Sequence, residues 1–228
     1  MTCARLALPL TCCLALTPLT ALSDRGFDMD YDPVVTSFGV YYDRYETDLD
    51  IEGTDVETRV ERLGITFTEQ LSRQIHGTID LGYLATFQND NPVTGNNDQT
   101  GEYVGLGLGA RLPVTQRLSL GGDIGYSFNY ADGEINDVET DISWREAEAR
   151  AYVDFRVPGA RFRVGGQAQD IDGEFDIDST PSQSLVFEGS ENTGLFAGVD
   201  LYVDRGRVSL YGHTGDRSGF SFAFAVDY

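Results

Sequence analysis

The chain has 228 residues, a length that suits a single β-barrel domain, and sets 37 acidic residues against 16 basic ones for a formal charge of −21. Every base is an arginine, since the sequence contains no lysine. That balance excludes nucleic-acid binding, which needs clustered cations to neutralise phosphates, and adhesion to anionic lipid through a basic patch.

The first 23 residues read as a cleaved signal peptide. Arg5 gives a positive start, Leu6 to Leu22 is largely apolar, and Ala21-Leu22-Ser23 offers small residues for cleavage. Pro9 and Pro18 argue against a spanning helix here. All three cysteines, Cys3, Cys12 and Cys13, fall inside this segment, so the mature chain has neither a disulfide nor a thiol chemistry. Residues 24–33 read as a short periplasmic segment and 34–228 as one domain. No further run of about 20 apolar residues, the length of a membrane helix, occurs. The mean hydropathy of −0.24 fits strands whose two faces differ.

From Val34 the sequence alternates apolar with small or polar residues, the period of strands. The spans are 34–52, 55–69, 74–88, 101–114, 117–131, 138–157, 160–178, 192–204, 207–214 and 218–228. Short turns near Gln70–Arg73, Thr115–Arg117, Pro158–Ala160 and Arg205–Gly206 alternate with longer loops near Asn89–Thr100, Ala131–Asp137 and Ser179–Glu191. The fold predicted is all-β: a single antiparallel transmembrane β-barrel of ten strands, with eight as the alternative, and with both termini periplasmic. Aromatic residues support it. Tyr42, Tyr83, Phe87, Tyr126, Phe128, Tyr130 and Phe220 gather toward one rim and Phe67, Phe155, Phe162 and Tyr228 toward the other. An aliphatic band lies between them, as in a barrel fitted to its bilayer.

In the last strand Phe220, Phe222, Phe224, Val226 and Tyr228 share one face. This pattern resembles the C-terminal recognition signal of bacterial outer-membrane barrels, and the chain resembles the small barrels of the OmpA/OmpX/OmpW-like group. The resemblance implies residence in the outer membrane among lipid and lipopolysaccharide, assembly by the barrel-assembly machinery, and no separate periplasmic domain.

The opposite face predicts the lumen, where charges must pair or stay hydrated. It collects Arg62, Arg111, Asp123, Glu146, Glu148, Arg150, Asp154, Arg156, Arg161, Arg163 and Asp200, which favours a filled, salt-bridged interior over a narrow pore. Gly105, Gly107, Gly109, Gly121 and Gly125 leave one wall bare. That wall either receives Tyr and Arg side chains from across the lumen or borders a small channel.

At the outer ends of strands 1, 2, 6 and 7 the alternation continues but inverts. Acidic residues such as Asp170, Asp172, Glu174 and Asp176 turn outward. Tyr45, Leu49, Ile51, Val56, Val60, Ile142, Trp144, Ile171, Phe175 and Ile177 turn inward. Hairpins raised above the bilayer explain this, their apolar insides forming either a cap over the lumen or a pocket for a lipophilic molecule. The acidic row lacks the wrapped spacing of a calcium loop, so no metal and no cofactor is predicted. The two histidines give a weak case for an enzyme. His76 has Asp80 nearby and His213 has Asp216. Tyr211 stands where the omptin proteases would need the Asp of Asp-x-His, and Gly215 where barrel lipid A deacylases carry the Ser of His-x-Ser. The function expected is therefore structural or surface-interacting, with a narrow pore, a lipophile binder and an outer-rim hydrolase as alternatives.

Overall fold

The computed structural model describes residues 36–51, 53–91, 95–135, 138–178, 182–189 and 193–228. The signal-peptide segment 1–23 and the segment 24–33 lie outside them. Among the described residues eleven antiparallel strands follow in order: β1 Ser37–Ile51, β2 Thr54–Gln70, β3 Ile75–Asn91, β4 Gly95–Pro113, β5 Leu118–Ile135 and β6 Val138–Val157. Then come β7 Ala160–Ile177, β8 Gln183–Gly189, β9 Thr193–Val203, β10 Gly206–Gly215 and β11 Ser218–Asp227. Ten of them form a closed ring, because β7 pairs with β9 and β11 returns to β1. Closure leaves the membrane part without a free edge, which a sheet in lipid requires.

The turns at one end are short, and each has a local reason. Gly159 between β6 and β7 takes φ 76°, and Asp204 between β9 and β10 takes φ 52°, a region that Gly and Asp tolerate. Ser72 and Thr115 close the other two by accepting backbone N–H groups with their hydroxyls. The start of β1 and the end of β11 lie together at this end, where the Tyr228 N–H donates to the Thr36 carbonyl at 2.9 Å.

Every strand of the ring turns apolar side chains outward. Leu63 is 62% exposed, Leu106 58%, Ile124 59%, Val164 58% and Leu195 63%. Phe220, Phe222 and Phe224 on β11 are exposed as well. An apolar band this extensive has no place in water, and it is the lipid-facing surface of a barrel.

The strands of the other end rise well beyond this band, and there the ring changes. β9, β10 and β11 stop at Thr193, Gly215 and Ser218, whereas β8 pairs with the upper part of β7 (Asp172↔Glu188 to Ile177↔Gln183) and with the tip of β1 (Leu49↔Gly189 to Ile51↔Phe187). The wall therefore closes through ten strands in the lipid band and through eight, β1 to β8, above it. The membrane ring has the ten strands expected from sequence, not the alternative eight; the eight-stranded wall above it depends on β8, which the expected spans did not include.

The loops expected at Asn89–Thr100 and Ala131–Asp137 are largely strand, since β3 runs to Asn91, β4 starts at Gly95 and β5 runs to Ile135. On the β3 and β4 ends the inward residues are polar: Gln88 and Gln99 are 1% exposed and Asn91 4%. With both faces polar, no hydrophobic period marks the strand. The loop expected at Ser179–Glu191 contains β8, whose seven residues bury Phe187 but are too few to show a period.

Candidate functional site: a plugged lumen beneath a raised barrel

The raised part encloses one apolar cluster. It unites all ten residues expected there, and adds Leu84, Tyr103, Ala131 and Phe187. Tyr45 and Ile51 are fully buried and Phe175 and Phe187 are 1% exposed. The void between Tyr45, Val60, Ile142, Trp144, Ile171 and Phe187 is only about 10 Å³. A cavity of that size scarcely holds one water, so the cluster is a packed core with no room for a lipophilic ligand. Beside it lies a buried polar set. Gln88 donates to Thr58 at 3.2 Å, Asn91 to Gln88 at 2.9 Å, and Gln99 to Thr140 at 3.1 Å.

Below the core sits a charged plug centred on Glu146, itself 3% exposed. Its carboxylate accepts from Arg62 at 2.7 Å, from Arg217 at 2.8 Å and from the Tyr45 hydroxyl at 3.1 Å. Arg217 also donates to Asp43 at 2.5 Å, lies 3.6 Å from Glu148, and stacks 3.8 Å above the Tyr45 ring. Arg62 reaches Asn129 at 2.8 Å. Two guanidiniums and two buried carboxylates thus neutralise one another across the lumen.

Alternation does not reveal Arg217, because it lies in the short turn between β10 and β11, outside any strand period. The turn is short enough to dip inside the raised wall, carrying the arginine with it. Asp43 could have been found, since it lies between Tyr41 and Tyr45 on the same face of β1.

Lower down, Arg111 and Arg163 share Asp154 at 3.3 Å and 2.8 Å, Arg161 lies 3.8 Å from Asp200, and Arg150 pairs with Glu148. Asp123 accepts from Tyr152 at 3.1 Å and lies 3.6 Å from His76. His76 therefore faces Asp123, not Asp80, because its cross-strand neighbour Gly109 is also the partner of Asp123. His213 is buried with its Nδ1 3.0 Å from Gln167, while Asp216 accepts from the Thr193 N–H. His213 thus meets Gln167, and Asp216 lies in the β10–β11 turn. Arg156 is exposed at the short-turn mouth, outside the buried network.

The bare wall is filled differently from either expectation. The Tyr152 ring lies where a side chain on Gly121 would go, Tyr211 does the same to Gly198, and the Tyr103 hydroxyl sits against Gly64 and Gly82. These tyrosines come from neighbouring strands, not from across the lumen. Gly105, Gly107 and Gly125 instead border a cavity of about 260 Å³, and a second of about 380 Å³ lies toward the short-turn end.

No protein-family description and no curated protein matches this sequence. Solved structures do resemble it. The translocator domain of the autotransporter NalP from Neisseria meningitidis is 14% identical, each chain covering 92% of the other, with a TM-score of 0.54. The transport unit of the autotransporter AIDA-I from Escherichia coli is 12% identical over 92% of this chain and 95% of that one, TM-score 0.42. Ail of Yersinia pestis, solved in complex with the heparin analogue sucrose octasulfate, is 10% identical over 85% and 98%, TM-score 0.37. Together with the lipid-facing band, the NalP likeness defines the fold: a small transmembrane β-barrel of the kind found in bacterial outer membranes.

Proposed function

We propose that the protein is a non-conducting barrel that anchors a rigid, acidic, eight-stranded stalk at the cell surface, in a structural or surface-interaction role. The observation that supports this most is the plug: Arg217, 4% exposed, is held by Asp43 and Glu146 directly beneath a core without usable space. A water-filled pore would need that layer open. The outward row Asp170, Asp172, Glu174 and Asp176 stands just above the lipid band, where divalent ions would bridge it to lipopolysaccharide phosphates. The face of Phe220, Phe222, Phe224, Val226 and Tyr228 would serve the barrel-assembly machinery before β11 closes the ring on β1.

Planar-bilayer recording tests the reading. Wild-type protein is expected to give no stable unit current, whereas Arg217→Ala, which withdraws the plug, gives flickering conductance. A stable unit current from the wild type would overturn it.

A further inference from the structure

Where the lipid band meets the raised wall, β2 to β5 carry a depression of about 940 Å³ on the outside of the barrel. Its size is that of small-molecule sites, and Leu63, Ile65, Leu81 and Val104 give it an apolar lining. Tyr83 on β3 and Phe128 and Tyr130 on β5 stand on either side of β4, which places Val104 and Glu102 between them. Tyr83 and Tyr130 are the cross-strand neighbours of Glu102, so this carboxylate sits inside the aromatic girdle, at the level of lipid headgroups. Glu102 is exposed and makes no hydrogen bond or ion pair among the described residues. The outward arginines at this height on β2 and β6 are already engaged. Arg59 lies 3.3 Å from Glu61 and 4.1 Å above the Phe87 ring, and Arg145 lies 3.3 Å from Asp172. Beyond Tyr130 the rim stays acidic, with Asp132 opposite Asp141 and the Tyr130 hydroxyl donating to Asp141 at 2.9 Å.

We propose that this depression docks one membrane lipid whose headgroup carries a primary ammonium, held by Glu102 while an acyl chain fills the apolar lining below. A carboxylate at the edge of the hydrocarbon loses part of its hydration, and a cation that donates N–H restores it. The chain itself brings no such cation, since both outward arginines here have partners of their own. Glu102, Asp132 and Asp141 together repel a headgroup whose only charge is a phosphate, so charge selects among lipids that the apolar lining would accept alike. A quaternary ammonium carries the same charge but has no N–H to donate, and it should be held less well. The site lies on the lipid face and involves neither the plug nor the lumen.

Native mass spectrometry of the folded barrel from neutral detergent tests the site, with phosphatidylethanolamine, phosphatidylcholine or phosphatidylglycerol of identical acyl chains added in the presence of EDTA. Wild-type protein is expected to retain one phosphatidylethanolamine in preference to the other two. Glu102→Gln should weaken that retention about tenfold, the loss of one charged hydrogen-bonding partner. Val104→Trp, which fills the depression and leaves Glu102 in place, should weaken it as well. Glu57→Gln, an exposed carboxylate higher on β2, should leave it unchanged. All three variants should keep the heat-induced gel shift of a folded barrel. Equal retention of the three lipids, or undiminished phosphatidylethanolamine binding in Glu102→Gln, would reduce the groove to ordinary lipid contact and overturn the proposal. Preferential retention of phosphatidylglycerol that appears only when calcium replaces EDTA would overturn it in favour of an ion bridge. Conductance by the wild type would defeat the non-conducting role above but leave this lipid preference unaltered.

Discussion

Around Glu146, two guanidiniums and a phenol converge on one carboxylate with no solvent to replace any of them. Removing the acceptor strands Arg62 and Arg217 together. Glu146→Ala is therefore expected to cost about 3–5 kcal/mol, read as a lower urea midpoint for unfolding from lipid vesicles, and Glu146→Gln less. Gly121 tests a steric contact instead. A methyl group there would collide first with the Tyr152 phenol, so Gly121→Ala should cost about 1–3 kcal/mol. Tyr152→Leu vacates the space, and in the double variant the alanine should cost far less, a coupling that a double-mutant cycle measures. Additive losses would mean that the ring does not fill the glycine's place. The glycines themselves were legible in the sequence. Which tyrosine covers which glycine was not, because that depends on register between strands.

Among the elements, β8 has the most specific task. It is short, it bridges β7 to the tip of β1, and it buries Phe187 in the raised core. The membrane ring does not use it, since β7–β9 and β11–β1 already close that circle. Replacing residues 183–189 by a Gly/Ser linker should leave the heat-modifiable barrel intact while making the β1–β2 and β6–β7 tips susceptible to protease. Loss of the gel shift would show that β8 is needed for the ring as well. Trp144→Ala acts on the same core from β6. Its indole is 6% exposed, and truncation should cost about 3–5 kcal/mol, with the damage confined to the raised hairpins. The inverted alternation on β1, β2, β6 and β7 pointed to ten residues of this cluster, because apolar side chains facing inward above the lipid have only one another to pack on, but not to Leu84, Tyr103, Ala131 or Phe187. The polar-lined strand ends left no such trace.

At the level of the whole molecule, the exposed apolar band and the ten-strand closure explain stability in a bilayer, where each backbone N–H and C=O must find its partner within the sheet. Folded protein should run anomalously on a gel until boiled, and a soluble β-protein would show no such shift. Alternation, turn residues and vertically sorted aromatics determined the all-β class, the even strand number in the membrane, and which face meets lipid, since each reflects a local period or a depth in the bilayer. The sequence likewise showed that the lumen is charged. Only the tertiary structure decided how those charges pair and that the barrel narrows from ten strands to eight. It also decided that Arg217, hidden in a turn, joins Asp43 and Glu146 inside the narrowing. Pairing, narrowing and plug all arise from contacts between strands far apart in the chain, fixed by register and closure, on which a local period has no bearing.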